Sequence, residues 1–307
     1  MADAIVPTPV PLRTRVYIDG YNLYYGCLKG TPYKWLDLMA LFEQQILPSS
    51  APDSSVLLPL SIKYFTAKIK EQAAKALDSV SSQARYHTAL RKRYHARIEL
   101  IEGYYSLTQS KARLVDNAVP AKWARDCAQT LVWKLEEKQS DVNLALQAYH
   151  DAITGAVDQV VIVTNDTDIA PALKMIRTYS AVKIGLVVPT RPGLREPNDD
   201  LLKLAHWTRT HITDRELASA QLPRVVVGGK KPTIKPESWY ARPDLIEQAL
   251  MRAAAVVGSR GKAFNWLETP NRYFDNLAPI DLLDAEAGAA RVMAYIADHE
   301  RNSQDGT

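Results

Sequence analysis

The segment Asp158–Pro171, DQVVIVTNDTDIAP, limits the folds open to this chain more than any other. Val160–Val163 is an unbroken β-branched run, the pattern of a strand buried on both faces of a parallel sheet. It ends in Thr164-Asn165-Asp166-Thr167-Asp168, and a helical pattern begins at Ile169. A strand that delivers two carboxylates beyond its C-terminal end sits where open α/β sheets place their sites. The other reading is turn chemistry, with Asp168 capping the next helix and Asp166 in a polar turn.

The flanking sequence repeats the strand–helix alternation. Val16-Tyr-Ile18 predicts a first strand that ends at Asp19, followed by Gly20-Tyr21-Asn22. Helical spacing covers Trp35–Ile46, a second strand covers Leu60–Phe65, and a third covers Ile98–Gly103. Residues 106–128 read as an irregular insertion, with a short strand over Thr130–Leu135. A helix follows over Val142–Ile153, for which Ser140 or Asp141 fits the N-cap. Val182–Val188 is a further buried strand and Asp199–His206 a short helix. This order predicts an α/β, Rossmann-like parallel sheet flanked by helices.

Past Leu222 the composition changes. Residues 226–238 are rich in Gly, Pro and Lys and read as a linker, with a possible edge strand, between an α/β domain over 1–225 and a helical domain over 239–307. That small all-α C-terminal domain holds three or four helices, with Trp266, Leu267, Ile280, Leu282 and Leu283 as its expected hydrophobic centre. The start of the chain, through Arg13, is Pro-rich and reads as a loose arm. Cys27 and Cys127 are the only cysteines and form no disulfide framework or metal spacing, as in a reducing cytoplasm. No apolar run is long enough to span a bilayer and none is flanked as a signal peptide. We therefore expect a cytoplasmic protein.

Asp19, Asp141, Asp166 and Asp168 fall on one side of the predicted sheet. Anions gathered in one pocket repel each other unless a cation joins them. All-oxygen sites of this kind suit Mg²⁺ or Mn²⁺, and a carboxylate-held cation can activate water against a phosphodiester. The net charge of +4 permits a polyanionic partner. Lys68, Lys70, Arg91, Lys92, Arg93 and Arg97 are candidate RNA-backbone contacts; the helix that carries most of them could equally present a solvated face.

At these residues the chain resembles the NYN domains of the PIN-like ribonuclease superfamily. The likeness is carried by VYIDGYNLYYG (16–26), EEKQSDVNLAL (136–146) and VIVTNDTDIAPAL (161–173), and continues through VKIGLVVPT (182–190) to residue 223. It implies a metal-dependent endoribonuclease acting on single-stranded RNA, with Asp19, Asp141, Asp166 and Asp168 as metal ligands and Asn22 as a supporting amide. Gly is commoner than Gln139 in that family, and Ser commoner than Thr164; neither change removes a carboxylate. Residues 262–296 resemble the toxin-binding domain of Xre/MbcA/ParS antitoxins, which implies a homodimer or partner-protein contact. The alternatives are a non-catalytic RNA-binding protein and a toxin–antitoxin-associated interaction protein.

Overall fold

The structure is a computed structural model that describes residues 10–74, 76–115 and 123–304. Residues 1–9 of the expected arm and 116–122 of the expected insertion lie outside the described residues. The chain divides into two compact units. One runs to Ile234 apart from Thr31–Tyr33; the other comprises those three residues and the chain from Lys235.

The first unit is built on a seven-stranded sheet. Its strands are β1 (Leu12–Asp19), β2 (Ser55–Lys68), β3 (Ile98–Arg113), β4 (Gln129–Lys138), β5 (Gln159–Val163), β6 (Lys183–Val187) and β7 (Trp207–Arg209), in the order β4-β3-β2-β1-β5-β6-β7. Every neighbouring pair is parallel except β3 and β4. The expected parallel sheet is thus present with one antiparallel edge strand. The chain builds outward from β1 to β3, then returns to the other side of β1 for β5, β6 and β7. That reversal opens a crevice between the C-terminal ends of β1 and β5, where ligands of such sheets bind.

Residues 106–113 correct part of the expected insertion loop, and the short strand expected over Thr130–Leu135 is present as the longer β4. β3 continues to Arg113 and pairs with β4 in a long antiparallel arm, from Tyr104 opposite Lys138 to Arg113 opposite Gln129. Leu131, Trp133 and Leu135 of β4 are exposed. With both faces of the arm wet, its sequence lacks the alternation that marks a half-buried strand.

The core lies where β1, β5 and β6 meet the helices Ser140–Ile153 and Ala170–Tyr179: Tyr17, Val160, Ile162, Leu173, Ile176, Ile184 and Leu186 are buried there. Two polar clusters are sealed into this unit. Gln159 donates to Thr14 and Ser55 and accepts from Trp207 Nε1, so its amide is satisfied on both sides. Asp151 accepts a 2.6 Å bond from the Tyr17 hydroxyl and pairs with Arg15 at 3.0 Å and Lys63 at 3.1 Å. Burial opposes the charge on Asp151, but these three donors more than offset it and hold the carboxyl below its ordinary range. Cys27 and Cys127 are buried free thiols.

The segment that reads as a linker has structure of its own. Val225–Val226 and Thr233–Ile234 form an antiparallel pair, and Lys92 Nζ donates to the Lys231 carbonyl. Trp35 Nε1 donates to the Pro223 carbonyl just before it.

The second unit contains the helices Pro243–Val257, Arg260–Glu268, Pro279–Leu282 and Glu286–Gln304. Gly258, at φ 85°, ends the first helix, and Ser259 caps the second through the Lys262 amide. Leu267, Ile280 and Leu283 are fully buried with Ile246, Leu250, Phe274 and Val292, while Trp266 and Leu282 pack partly buried against them. No helix among the described residues is long and apolar enough to cross a membrane.

Candidate active site

Asp19 is the last residue of β1 and is almost fully buried. Its register partner across β2 is Phe65, and Ile18 before it pairs with Val163, the last residue of β5. Asp19 therefore stands level with Thr164, whose Oγ1 donates to Asp19 Oδ2 at 2.9 Å. Asn22 donates twice, from its backbone to Oδ1 at 2.9 Å and from Nδ2 to Oδ2 at 2.5 Å. The first of these makes Asp19 the N-cap of the helix Gly20–Leu23. Gly20 is required by close approach: a side chain there would meet the Phe65 carbonyl oxygen at 2.6 Å and the Tyr64 ring at 2.8 Å. Burial raises the Asp19 carboxyl above its ordinary range; the bonds from Asn22 and Thr164 work against this, and the charge of Asp166 adds to it.

Asp166 and Asp168 follow β5. Thr164 Oγ1 accepts from the Asp166 amide at 3.1 Å, and Asp166 Oδ1 accepts from the Asp168 amide at 3.0 Å. Asp166, and not Asp168, is thus the capping residue, at the head of the turn Thr167–Ile169; Asp168 is exposed.

Asp141 arrives from the other side of the crevice, in the first turn of the helix Ser140–Ile153. The expected cap at Ser140 or Asp141 is replaced by Gln139, which makes no side-chain cap bond and adopts a left-handed backbone with φ 77°. A non-glycine residue in that region is strained. Partial loss of hydration, followed by the charges of Asp19, Asp166, Glu137 and Asp168, pushes the Asp141 carboxyl up to about 6. Like charges disfavour one another's ionised forms, which is why the shift is upward.

Glu137 is the acid that sequence reasoning missed. It lies near the end of β4, opposite Tyr105, and accepts from the Ser140 hydroxyl and from the Tyr105 hydroxyl at 3.3 Å. Burial raises its carboxyl, the charge of Asp19 adds to this, and the two hydroxyls partly offset it. Its signal lies in the Glu136-Glu137 pair just ahead of Asp141, but only an antiparallel β4 carries it into the crevice. Among the described residues, no group of three or more His, Cys, Asp or Glu side chains has its donor atoms already set to hold a metal ion. Both oxygens of Asp19 are engaged by Asn22 and Thr164 instead.

The basic residues are distributed more widely. Lys68 is at the C-terminal end of β2, on the carboxylate side of the sheet, with Lys70 two residues further on. The helix Ser79–Tyr94 then runs back toward the start of β3, which carries Arg93 and Arg97 to the opposite end. Most of these cations are engaged: Lys68 and Arg91 with Glu102, Arg93 with Asp37, Arg97 with Glu43, and Lys92 with the Lys231 carbonyl.

Over residues 13–204, more than half of its length, the chain matches the NYN domain. It belongs to the NYN domain family. Residues 252–300 match the antitoxin Xre/MbcA/ParS C-terminal toxin-binding domain. The chain is also 60% identical over 294 residues to a Pseudomonas putida protein named 6-hydroxy-3-succinoylpyridine 3-monooxygenase HspA, a match that covers 93% of this chain and 94% of that protein. A crystal structure of a protein of unknown function from Vibrio parahaemolyticus RIMD 2210633 overlays with a TM-score of 0.38 at 17% identity, covering 68% of this chain and 98% of the other. The resemblances read from the sequence thus hold for both families. The monooxygenase name of the full-length relative has no counterpart in them.

Proposed function

We propose that the crevice holding Asp19, Asp141, Asp166 and Asp168 is the active site of a divalent-cation-dependent endoribonuclease. The observation that carries this reading is geometric: Thr164 bonds Asp19 at the end of β1 to the Asp166 amide after β5, Asp166 accepts from the Asp168 amide, and the helix Ser140–Ile153 brings Asp141 in its first turn. A cluster that resists its own charge is poised to be neutralised by a hard cation, and its all-oxygen donors suit Mg²⁺ or Mn²⁺. Such a cation supplies Lewis acidity that activates water and stabilises the leaving oxygen of a phosphodiester. The four aspartates would hold it. Asn22 and Thr164 fix the orientation of Asp19, and Asp141 would have to be in its ionised form to join the other aspartates in holding a cation. Lys68 and Lys70, on the carboxylate side, are the basic residues best placed to meet an RNA backbone.

The test is cleavage of a mixed single-stranded RNA pool with Mg²⁺ or Mn²⁺, against chelator and against Asp166→Asn. Cleavage lost under both conditions supports the reading; cleavage indifferent to both overturns it.

The identity to HspA favours a second reading, hydroxylation of 6-hydroxy-3-succinoylpyridine at the same crevice. Its test supplies that compound, oxygen and a two-electron donor, and follows the product by mass. Product formed by a protein that leaves RNA intact would replace the first reading with the second.

The helical region from residue 239 we read as a module for a partner protein or a second copy, in a cytoplasmic protein. An apolar depression between Val256, Val257, Trp266, Tyr295 and Ile296 offers it a contact surface. Sedimentation of the full chain, alone and after Val257→Glu, tests for self-association through that surface.

A further inference from the structure

Three tyrosines stand beside the carboxylates in a place the proposed chemistry leaves unused. Tyr21 lies two residues past Asp19, and Tyr24 and Tyr25 lie one helical turn beyond Tyr21. Such spacing brings side chains onto one helix face. The Tyr21 and Tyr25 rings are 4.4 Å apart between centroids, tilted by 38°, and Tyr24 meets Tyr25 edge-on at 5.1 Å. Tyr21 is 46% exposed and Tyr24 36% exposed, whereas the core beneath is already filled by Leu23 and Cys27. These rings are therefore not needed to close the core. Lys29 Nζ sits 4.9 Å from the Tyr25 centroid, adding a cation to the cluster.

The platform is rigid and faces the site. Its backbone is pinned at one end by Gly20 against the Phe65 carbonyl and at the other by Gly26, where a side chain would run into the Pro189 carbonyl. Tyr21 is two residues past Asp19, in the helix that Asp19 caps, which places it beside the crevice. Tyr105, on β3 opposite Glu137, donates its hydroxyl to that carboxylate, and burial followed by the charge of Glu137 raises its phenol. Rigid, partly exposed aromatic rings beside a polar site are the feature that stacks flat rings.

We propose that Tyr21, Tyr24 and Tyr25, with Lys29, form a stacking subsite that takes a flat heteroaromatic ring bearing an anionic group. The inference rests on reading the adjoining crevice as the active site. Two sources share this chemistry: a nucleobase on its phosphate backbone, and a pyridine with a carboxylate arm. Either would lay its ring on the exposed tyrosines and present its reactive part to the carboxylates.

The test is equilibrium binding to the full chain. The ring ligands are a short single-stranded RNA and 6-hydroxy-3-succinoylpyridine; the controls are the same oligomer without bases, and succinate. Tyr21→Ala should weaken binding of the preferred ring ligand roughly tenfold or more. Tyr21→Trp should restore it, and the ringless controls should be indifferent to both changes. The ligand that responds identifies the source. If both ring ligands bind Tyr21→Ala as well as wild type, or neither binds better than its ringless control, the subsite is overturned. Turnover by Asp166→Asn is measured alongside: full activity there would remove the active-site reading, whereas the binding comparison judges the tyrosines separately.

Discussion

Thr164 Oγ1 donates to Asp19 Oδ2 at 2.9 Å, so a single hydroxyl ties the end of β5 to the end of β1. The same oxygen accepts from the Asp166 amide. Thr164 thus aligns both flanks of the crevice. Thr164→Val, which keeps the shape and removes the hydroxyl, leaves a buried carboxylate short of one donor. We expect a loss of about 1–3 kcal/mol in stability, read by urea denaturation. Unchanged stability would mean that the hydroxyl is dispensable.

Cation binding should appear as thermal stabilisation. Mg²⁺ or Mn²⁺ at ten times its dissociation constant contributes about 1.4 kcal/mol through linkage. Asp166→Asn should abolish this shift while the metal-free melting temperature stays close to that of wild type. A mutant that melts normally and still responds fully to metal would place Asp166 outside the cation site.

The pH dependence has a definite sign. The Asp141 carboxyl is raised to about 6 in the folded chain, so ionising it costs stability. This contribution favours the metal-free fold below the unfolded pKa and is lost as pH rises toward 6. Cation binding needs the ionised form and should strengthen over the same interval. Because Asp141 is solvent-exposed, the effect is discounted to about 1 kcal/mol or less. Asp141→Asn should flatten both trends in melting curves taken from pH 4 to pH 8; trends of undiminished slope would assign them to other groups.

Gln139 carries its strain at φ 77°, two residues before Asp141. Gln139→Gly should relieve it and stabilise the chain by about 0.5–1 kcal/mol. A destabilised variant would show that the Gln139 side chain contributes more than its backbone costs.

Asp151→Asn removes the charge that Arg15 and Lys63 share. Breaking a buried ion cluster of this kind costs about 3 kcal/mol, a fall of roughly 6–12 °C in melting temperature for a unit of this size. The native contribution of Asp151 is present above the unfolded pKa of an aspartate and is lost as pH falls through its depressed folded value. A fall of less than 2 °C would show that the cluster contributes little.

Asp19 with Asn22, and Asp166 with Asp168, follow buried strands that run into polar turns, junctions that are local in sequence and can be read there, whereas Asp141 lies in the first turn of a helix. What was not legible depended on pairing. Glu137 enters the crevice only because β4 runs antiparallel, and the wet faces of the β3–β4 arm leave no hydrophobic rhythm to show it. The roles of Asp166 and Asp168 in capping were exchanged because the chain makes a short 3-10 turn before the helix Ala170–Tyr179. The Arg93 and Arg97 positions follow from the direction of their helix, which charge spacing alone does not give.

The place of β1 at the centre of the sheet sets the order in which this protein can be made. β1 is covered on one edge by β2, but its other edge waits for β5; Thr14 and Gln159, bonded across that seam, are 145 positions apart in the chain. A nascent polypeptide that has emerged only as far as β4 carries an open, apolar strand edge and, of the crevice carboxylates, only Asp19 and Glu137. Such an edge is a template for misassembly, and a seam of this sequence separation closes slowly. Ribosome stalling or premature termination before Val163 would therefore yield an aggregating fragment, and the crevice cannot assemble until the last segment that lines it has been synthesised.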